Sequence, residues 1–422
     1  QDDALDPNLW RVHDKLYDLS AFLDKHPGGR FWLETTKGTD ITEIFESSHL
    51  NPSVVKVLNK YYVSDITIKR NSPYTFKDDG FYRTLKRKAW PILSKSGTGP
   101  SLRMKVMQDS MVLLFLTLML LTAYHHSYLL AAATGVCLAA VISMSHNFFH
   151  QADNFRMLYF DLSTLSSAEW RITHGISHHH FTNTLYDYEI AALEPYIHYL
   201  PNPNKPWFSK YLSPITCHLI LFIVFFMELI LRVVGVAVGR RKFRPENLFP
   251  VAEALIMVFV AGDLKIGLSL WSVMVFFGGF MFAYPALIGS HHHPDIYHAH
   301  DTFRSNPDWG LCQLDAVRDK VEATGSLFLV TTTFGDHSLH HLFPTVDHSK
   351  LPLLYPVFLE TCRQFGIRFT FLRQSNLWLG MYRQLVSTTP NLNPPGYKEE
   401  GEILLPKSVI EMRKVAEKAG KK

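Results

Sequence analysis

Apolar residues are spaced differently in successive stretches of this chain. Up to about residue 70 they come singly or in pairs. Trp10, Val12, Tyr17, Leu19 and Phe22 are spaced for short strands and a turn, and Phe31, Trp32, Leu33, Ile41, Ile44 and Phe45 for short helices. Over 66–100, Pro73, Gly80, Pro91, Gly97, Gly99 and Pro100 interrupt any long pattern, which reads as a linker. From 106 to 124 the chain is apolar for a span's length, turns at His125 and His126, and is apolar again from 128 to 144. A bilayer core takes about 20 helical residues, so this pair predicts a transmembrane hairpin. Two more apolar regions follow. The run 215–238 holds Glu228 and Arg232 and ends at Arg240, Arg241, Lys242 and Arg244, while 247–290 is broken by Gly262, Asp263 and Lys265.

Composition agrees with a part-soluble, part-membrane chain. Its 422 residues leave room for two or three domains, and 47% are hydrophobic with a mean hydropathy of +0.01. Charge is more informative by region. Residues 1–65 carry 11 acids against 7 Lys or Arg, and residues 66–105 carry 10 bases against 2 acids. A basic block just before the first apolar run places the N-terminal segment in the cytosol by the positive-inside rule, and it leads into a span rather than a nucleic-acid site. Cys137, Cys217, Cys312 and Cys362 form no metal-type pair, and two lie in apolar runs, which points to a reducing compartment. The opening Gln1-Asp2-Asp3 is polar, so no secretory signal is expected there. From residue 391 the chain is rich in Pro, Lys and Glu and reads as a solvated tail with a short amphipathic stretch at 409–415.

Histidine changes the picture most. His146 and His150, then His174, His178 and His179, then His337, His340 and His341 stand beside the apolar runs, and His291, His292 and His293 follow the last of them. A lone histidine in such a place is usually a hydrogen-bonded structural residue. Spacings of three and four, however, put several imidazoles on one helix face, and several such clusters have no reason to gather independently. One metal takes about four to six donors, so eight or nine converging histidines imply two ions. His180, His298 and His300 stand at the edges of these groups and read as supporting or structural. Convergence also constrains topology, because the clusters must share one side of the membrane. The consistent arrangement makes 215–238 an interfacial helix and 247–262 with 266–290 a second hairpin, both hairpins starting and ending in the cytosol.

Two resemblances follow from particular residues. The N-terminal segment resembles cytochrome b5, through Trp10, Tyr17, His26-Pro27-Gly28-Gly29, Asp40, Phe45 and His49, with an interval between the two histidines one residue shorter than in soluble members. This implies an α+β haem-binding domain over 1–70, with His26 and His49 clamping the iron of haem b from opposite faces. Such a haem passes electrons and does not bind oxygen. The acidic surface suits a basic donor of the cytochrome b5 reductase type.

Residues 82–390 resemble the membrane fatty-acid desaturases, above all those with a fused cytochrome b5 domain. The resemblance rests on His146-Asn147-Phe148-Phe149-His150, on Trp170-Arg171-x-x-His174-x-x-x-His178-His179 followed by Thr182-Asn183, and on His337-x-x-His340-His341-Leu342-Phe343-Pro344-Thr345. Front-end members usually carry Gln at the position of His337, and Asp and Gly at those of Asn147 and Phe149. Among fused proteins the chain is most similar to the insect cytochrome b5-related branch. The resemblance implies an all-α membrane domain with two transmembrane hairpins over 106–390, after a basic linker at 71–105 and before a charged tail at 391–422. It also implies a non-haem di-iron centre held by His146, His150, His174, His178, His179, His337, His340 and His341. An extra ligand would come from His291, His292 or His293, with His292 favoured.

The two halves fit one chemistry. Removing two hydrogens from an alkyl chain needs a strong oxidant from reduced iron and oxygen, and a tethered haem supplies the electrons at high effective concentration. The expected function is an oxygen-dependent acyl-lipid desaturase of the endoplasmic reticulum membrane, with its haem domain and histidine boxes cytosolic and a long-chain acyl lipid as substrate. The alternatives are a hydroxylase of the same chemistry and a haem electron carrier whose desaturase half only anchors it.

Overall fold

The computed structural model describes residues 5–395 and 403–419. Its N-terminal part is a small α+β unit. Strands β1 (Trp10–Val12), β2 (Lys15–Tyr17) and β3 (Tyr62–Asp65) form an antiparallel sheet in that order, with Trp10 opposite Tyr17. Helices α1 (Arg30–Thr35), α2 (Thr42–Ser48) and α3 (Val54–Leu58) pack against it. Trp10 is fully buried among Val12, Tyr17, Leu19, Leu33, Ile41 and Leu58, and its indole N–H donates to the Leu33 carbonyl at 3.0 Å. The spacing of these apolar positions is thus that of one small core. Gly29 opens α1 at φ +102°, a conformation that L side chains rarely adopt, which explains the glycine after His26-Pro27-Gly28.

The expected linker contains a helix. Residues Phe81–Ser96 form α4, with Pro91 inside it. Phe81, Tyr82, Leu85, Ala89 and Leu93 recur at helical spacing and bury one face, which outweighs the hydrogen bond that Pro91 cannot make. The polar face of α4 binds the N-terminal unit. The Glu46 carboxylate accepts from His13 at 2.8 Å, from Lys86 at 3.0 Å and from Arg83. Burial would raise the pKa of Glu46, but its hydrogen bond to His13 and the Lys86 and Arg83 charges hold it well below the usual carboxylate range. Arg70 pairs with Asp40 and Glu43, each at 2.6 Å. The two parts of the molecule are therefore docked through buried charge pairs.

Next come the apolar helices α5 (Leu102–His125) and α6 (Tyr128–Phe149). Short segments then carry the chain across the end of the bundle: α7 (Ser167–Trp170), a π-helical turn (Arg171–His178), α8 (His179–Phe181) and α9 (Trp207–Tyr211). Helices α10 (Ser213–Ala237), α11 (Phe249–Ala261) and α12 (Leu264–Met281) complete the bundle. Among the described residues four helical stretches are long and apolar enough to cross a bilayer: Leu102–His125, Tyr128–Phe149, Ser213–Ala237 and Leu264–Tyr284. These are candidates by length and composition. The helix expected to be interfacial, α10, has a span's length, yet its Arg232 and the following Arg241 lie 3.6 and 3.2 Å from Glu169 of α7, at the histidine end of the bundle. Helix α11, at 13 residues, is about 20 Å long against a bilayer core of about 30 Å. The two turns of the bundle meet, since His126 Nε2 lies 3.0 Å from the Ala261 carbonyl oxygen. Helices α6 and α12 approach closely at Gly135, where a Cβ would lie 2.4 Å from the Met274 carbonyl oxygen.

At the other end of the bundle sits a polar cap built from α13 (Trp309–Asp315), α14 (Leu327–Thr332), α15 (His337–Leu342), α16 (Tyr355–Gln364) and α17 (Gln374–Val386), with α4 in the same core. The expected solvated tail docks here in part. Helix α18 (Lys407–Ala419) buries Val409 in the cap core, and the Leu404 carbonyl accepts from the Phe371 N–H at 3.0 Å. Residues 396–402 and 420–422 of that tail lie outside the described residues.

Candidate metal centre

The last turn of α6 carries His146, and His150 follows at its end. The second box straddles the π-helical turn, which widens the spiral so that His178 and the adjacent His179 point to different neighbours. The third box is α15, entered through Asp336 in a left-handed conformation and capped by the Asp319 carboxylate on the His337 and Ser338 N–H groups. These elements bring the rings together in two adjacent groups. Nitrogens of His146, His150, His174, His179 and His340 lie within 4.8 Å of one another, as do those of His178, His291 and His341. His337 joins the second group, its Nε2 being 2.6 Å from that of His291. The groups touch where the His179 and His341 rings stack with centroids 4.2 Å apart.

The donor set fits metal ions. Nε2 atoms face each other at 2.7 Å (His146–His174), 2.9 Å (His150–His146), 3.0 Å (His179–His174) and 3.2 Å (His178–His291). Neutral imidazoles placed lone pair to lone pair repel unless a cation lies between them. Burial lowers the pKa of His150, His179, His291, His337, His340 and His341 well below the ordinary value, and neighbouring histidines add to it, so these rings are neutral as ligands must be. Both nitrogens of His340 and the Nε2 of His341 are buried without a hydrogen-bond partner.

Other rings are fixed from behind. His174 Nδ1 is 2.8 Å from Glu189, His178 Nδ1 is 2.9 Å from Asp187, and His341 Nδ1 is 3.1 Å from Gln313 Oε1. Each contact places the proton on Nδ1 and leaves Nε2 free to bind. Burial opposes charge on His178, but Asp187 and Glu189 outweigh it and raise that group to about 9, so without a cation its Nε2 holds a second proton, which a bound metal ion would displace. Sequence reasoning missed these two carboxylates, whose only signal is an Asp-x-Glu nine residues after His178. It also missed His348, whose ring lies 4.5 Å from that of His340 and whose Nδ1 is 2.8 Å from Asn147 Oδ1.

The extra histidine expected at His292 is displaced by one residue. His291 enters the second group, while His292 stacks on Tyr199 at 3.5 Å between centroids, facing away. Consecutive side chains in this irregular segment leave on opposite sides, and only one can point inward. His293 lies beside Asp295, 3.4 Å away, and His298 beside the Ile296 carbonyl; neither is in a cluster. His300 is exposed.

In the N-terminal unit His26 and His49 face each other across a cleft, with ring centroids 6.1 Å apart, which leaves room for one metal atom between them. Their Nδ1 atoms are each 3.0 Å from a backbone carbonyl, of Gly29 and Phe45 respectively. Burial pushes His49 down to about 4, so it stands neutral. The cleft, of about 770 Å³, is lined by Phe22, Trp32, Leu33, Ile44 and Val57 on one side, and its far wall is made by His150, Gly175, His180 and Pro344. An apolar cavity between two facing imidazoles fits a haem, and it abuts the first histidine group directly.

Comparisons with known proteins agree in outline. The family described as fatty acid desaturase matches residues 112–373, and the cytochrome b5-like heme/steroid binding domain matches residues 2–67. The chain is 36% identical to a cytochrome b5-related protein of Drosophila melanogaster over 94% of this chain and 92% of that one. It is 22% identical to a chloroplastic acyl-lipid (7-3)-desaturase of Chlamydomonas reinhardtii, over 92% and 82%, and 20% identical to an acyl-lipid (8-3)-desaturase of Mortierella alpina, over 87% and 90%. No solved structure matches.

Proposed function

We propose, on the premise that this chain belongs to the fatty acid desaturase family and carries a cytochrome b5-like domain, that it is an oxygen-dependent desaturase of acyl lipids. The observation that carries this reading is the convergence of nine buried histidines in two touching groups beside the cleft of His26 and His49. Haem b is assigned to His26 and His49. One iron is assigned to His146, His150, His174, His179 and His340, and the other to His178, His291, His337 and His341. Such a pair of irons supplies, with oxygen and electrons received through the haem, the oxidising power needed to remove hydrogens from an unactivated alkyl chain.

The protein's own groups prepare that chemistry. Asp187 and Glu189 keep the Nδ1 protons of His178 and His174 in place, so their Nε2 lone pairs stay aimed inward. The Phe149, Trp170, Phe282 and Phe334 rings pack beside His146 and His174 and keep water from their bundle side. An acyl chain entering from the apolar bundle meets the metal groups at its end. Because the two bundle turns meet at the opposite end and a basic block at 66–105 precedes the first span, the histidines and the haem unit are assigned to the cytosolic face of the endoplasmic reticulum membrane. A flavoprotein of the cytochrome b5 reductase type is the assigned electron source. Expression in a yeast lacking its own desaturase, with fatty-acid profiling of every lipid class, should yield a new unsaturated acid with the wild type and none with His340→Ala. A hydroxylated product would make the enzyme a hydroxylase. Absence of product from a haem-loaded protein would support the electron-carrier alternative.

A further inference from the structure

His180 is fully enclosed, follows the second box directly, and belongs to neither metal group. Its ring is turned the other way. Nδ1 donates to the Ile176 carbonyl at 2.9 Å, which leaves Nε2 as an acceptor, and Nε2 lies 2.9 Å from the Ser47 hydroxyl of the N-terminal unit. Ser47 is buried near the end of α2, two residues before His49. The indole of Trp309 donates to the His180 carbonyl at 3.2 Å and stacks over its ring, so the histidine is held in this orientation. On the other side His180 is one peptide from His179, whose Nε2 is 3.0 Å from that of His174.

We propose that the Ser47–His180 hydrogen bond is the electronic link between the haem and the di-iron centre. The inference rests on the desaturase reading above and deepens it. From His49 the route runs through backbone to Ser47, across one hydrogen bond to His180, and through one peptide to His179. Every other junction on it is covalent. The competing approaches, the cleft wall at His150 and the Trp32 ring packed against Gly175, where a Cβ would meet Trp32 Cη2 at 3.3 Å, are non-bonded contacts. Tunnelling falls off faster per ångström across such gaps than along bonds, which favours the bonded route. In each transfer ferrous haem becomes ferric and one ferric non-haem iron becomes ferrous. A flavoprotein reductase returns one electron to the haem, and two transfers serve each double bond. No atom or proton changes place at Ser47 or His180, which are positioning residues.

The test uses the full-length protein with haem reduced and non-haem iron oxidised, following haem reoxidation at the Soret band after rapid mixing. Ser47→Ala and His180→Phe should slow reoxidation severalfold, and Ser47→Thr, which keeps the hydroxyl, should restore it. Haem spectrum, haem potential, non-haem iron content and amide-exchange protection of residues 42–50 should match the wild type. Direct reduction of the non-haem iron by dithionite with a small diffusible mediator should be unchanged as well. Reoxidation at the wild-type rate in both Ser47→Ala and His180→Phe would overturn the link. So would equal slowing of the mediator-driven reduction, which would mark a structural role. Haem without non-haem iron in the wild type would overturn the desaturase reading, and this inference with it.

Discussion

Asp187 and Glu189 show how single residues set what the centre can hold. Each carboxylate fixes one histidine tautomer, and without them two rings of the second box could present N–H where a lone pair is needed. His291 and His292 divide the work differently, one entering a histidine group and the other stacking on Tyr199. His291→Ala should lower non-haem iron by about one atom per chain, since the second group falls from four nitrogen donors to three. His292→Ala should keep the full iron content and lose only packing. Iron analysis of the two purified variants checks this, and iron loss confined to His292→Ala would reverse the assignment. At this scale the boxes were legible because spacings of three to five survive in any local helix. The choice among three consecutive histidines was not, since it depends on which side of an irregular segment faces inward. Asp187 and Glu189, marked only by an Asp-x-Glu after the second box, and His348, with no spacing signal, become visible only once the chain folds back.

Among the elements, close helix contact is sharpest where a Cβ has no room, as at Gly135 between α6 and α12. In a bundle whose helices face lipid, small residues allow the approach on which packing depends. Gly135→Leu should destabilise the protein by about 3 kcal/mol, the upper end for overpacking, because the obstacle is a backbone carbonyl. A lowered thermal unfolding midpoint in detergent, with less folded protein recovered, would register it; an unchanged midpoint would mean the helices can separate there at little cost. Sequence patterning located the apolar runs of α5, α6, α10 and α12 well, since a span's length of apolar residues is unmistakable. It failed at α4, where glycines and prolines read as a linker although the interval 81–96 holds none but Pro91 and presents one apolar face. It assigned 247–262 a full crossing although α11 is only 13 residues long. Helix length is set by the turn at Gly262 and by the residues of 245–248 before it, which hydropathy alone does not resolve.

At the scale of the whole molecule, two units that the sequence presents as separate share a wall. The Glu46, Arg83 and Lys86 cluster docks the N-terminal unit on α4, and the haem cleft takes its far side from the boxes themselves. Charge by region pointed to an acidic unit before a basic block, and the structure turns that contrast into an interface within the chain. The central claim is that one polypeptide holds a haem and two further irons. It is tested most directly by metal analysis of the purified full-length protein, counting haem by its pyridine complex and total iron and other metals by mass spectrometry. The account predicts about two non-haem irons for each haem, from nine donors at four to six per ion, with the haem lost and the other irons kept in His26→Ala. Haem iron alone, or a non-iron metal filling the histidine groups, would contradict it.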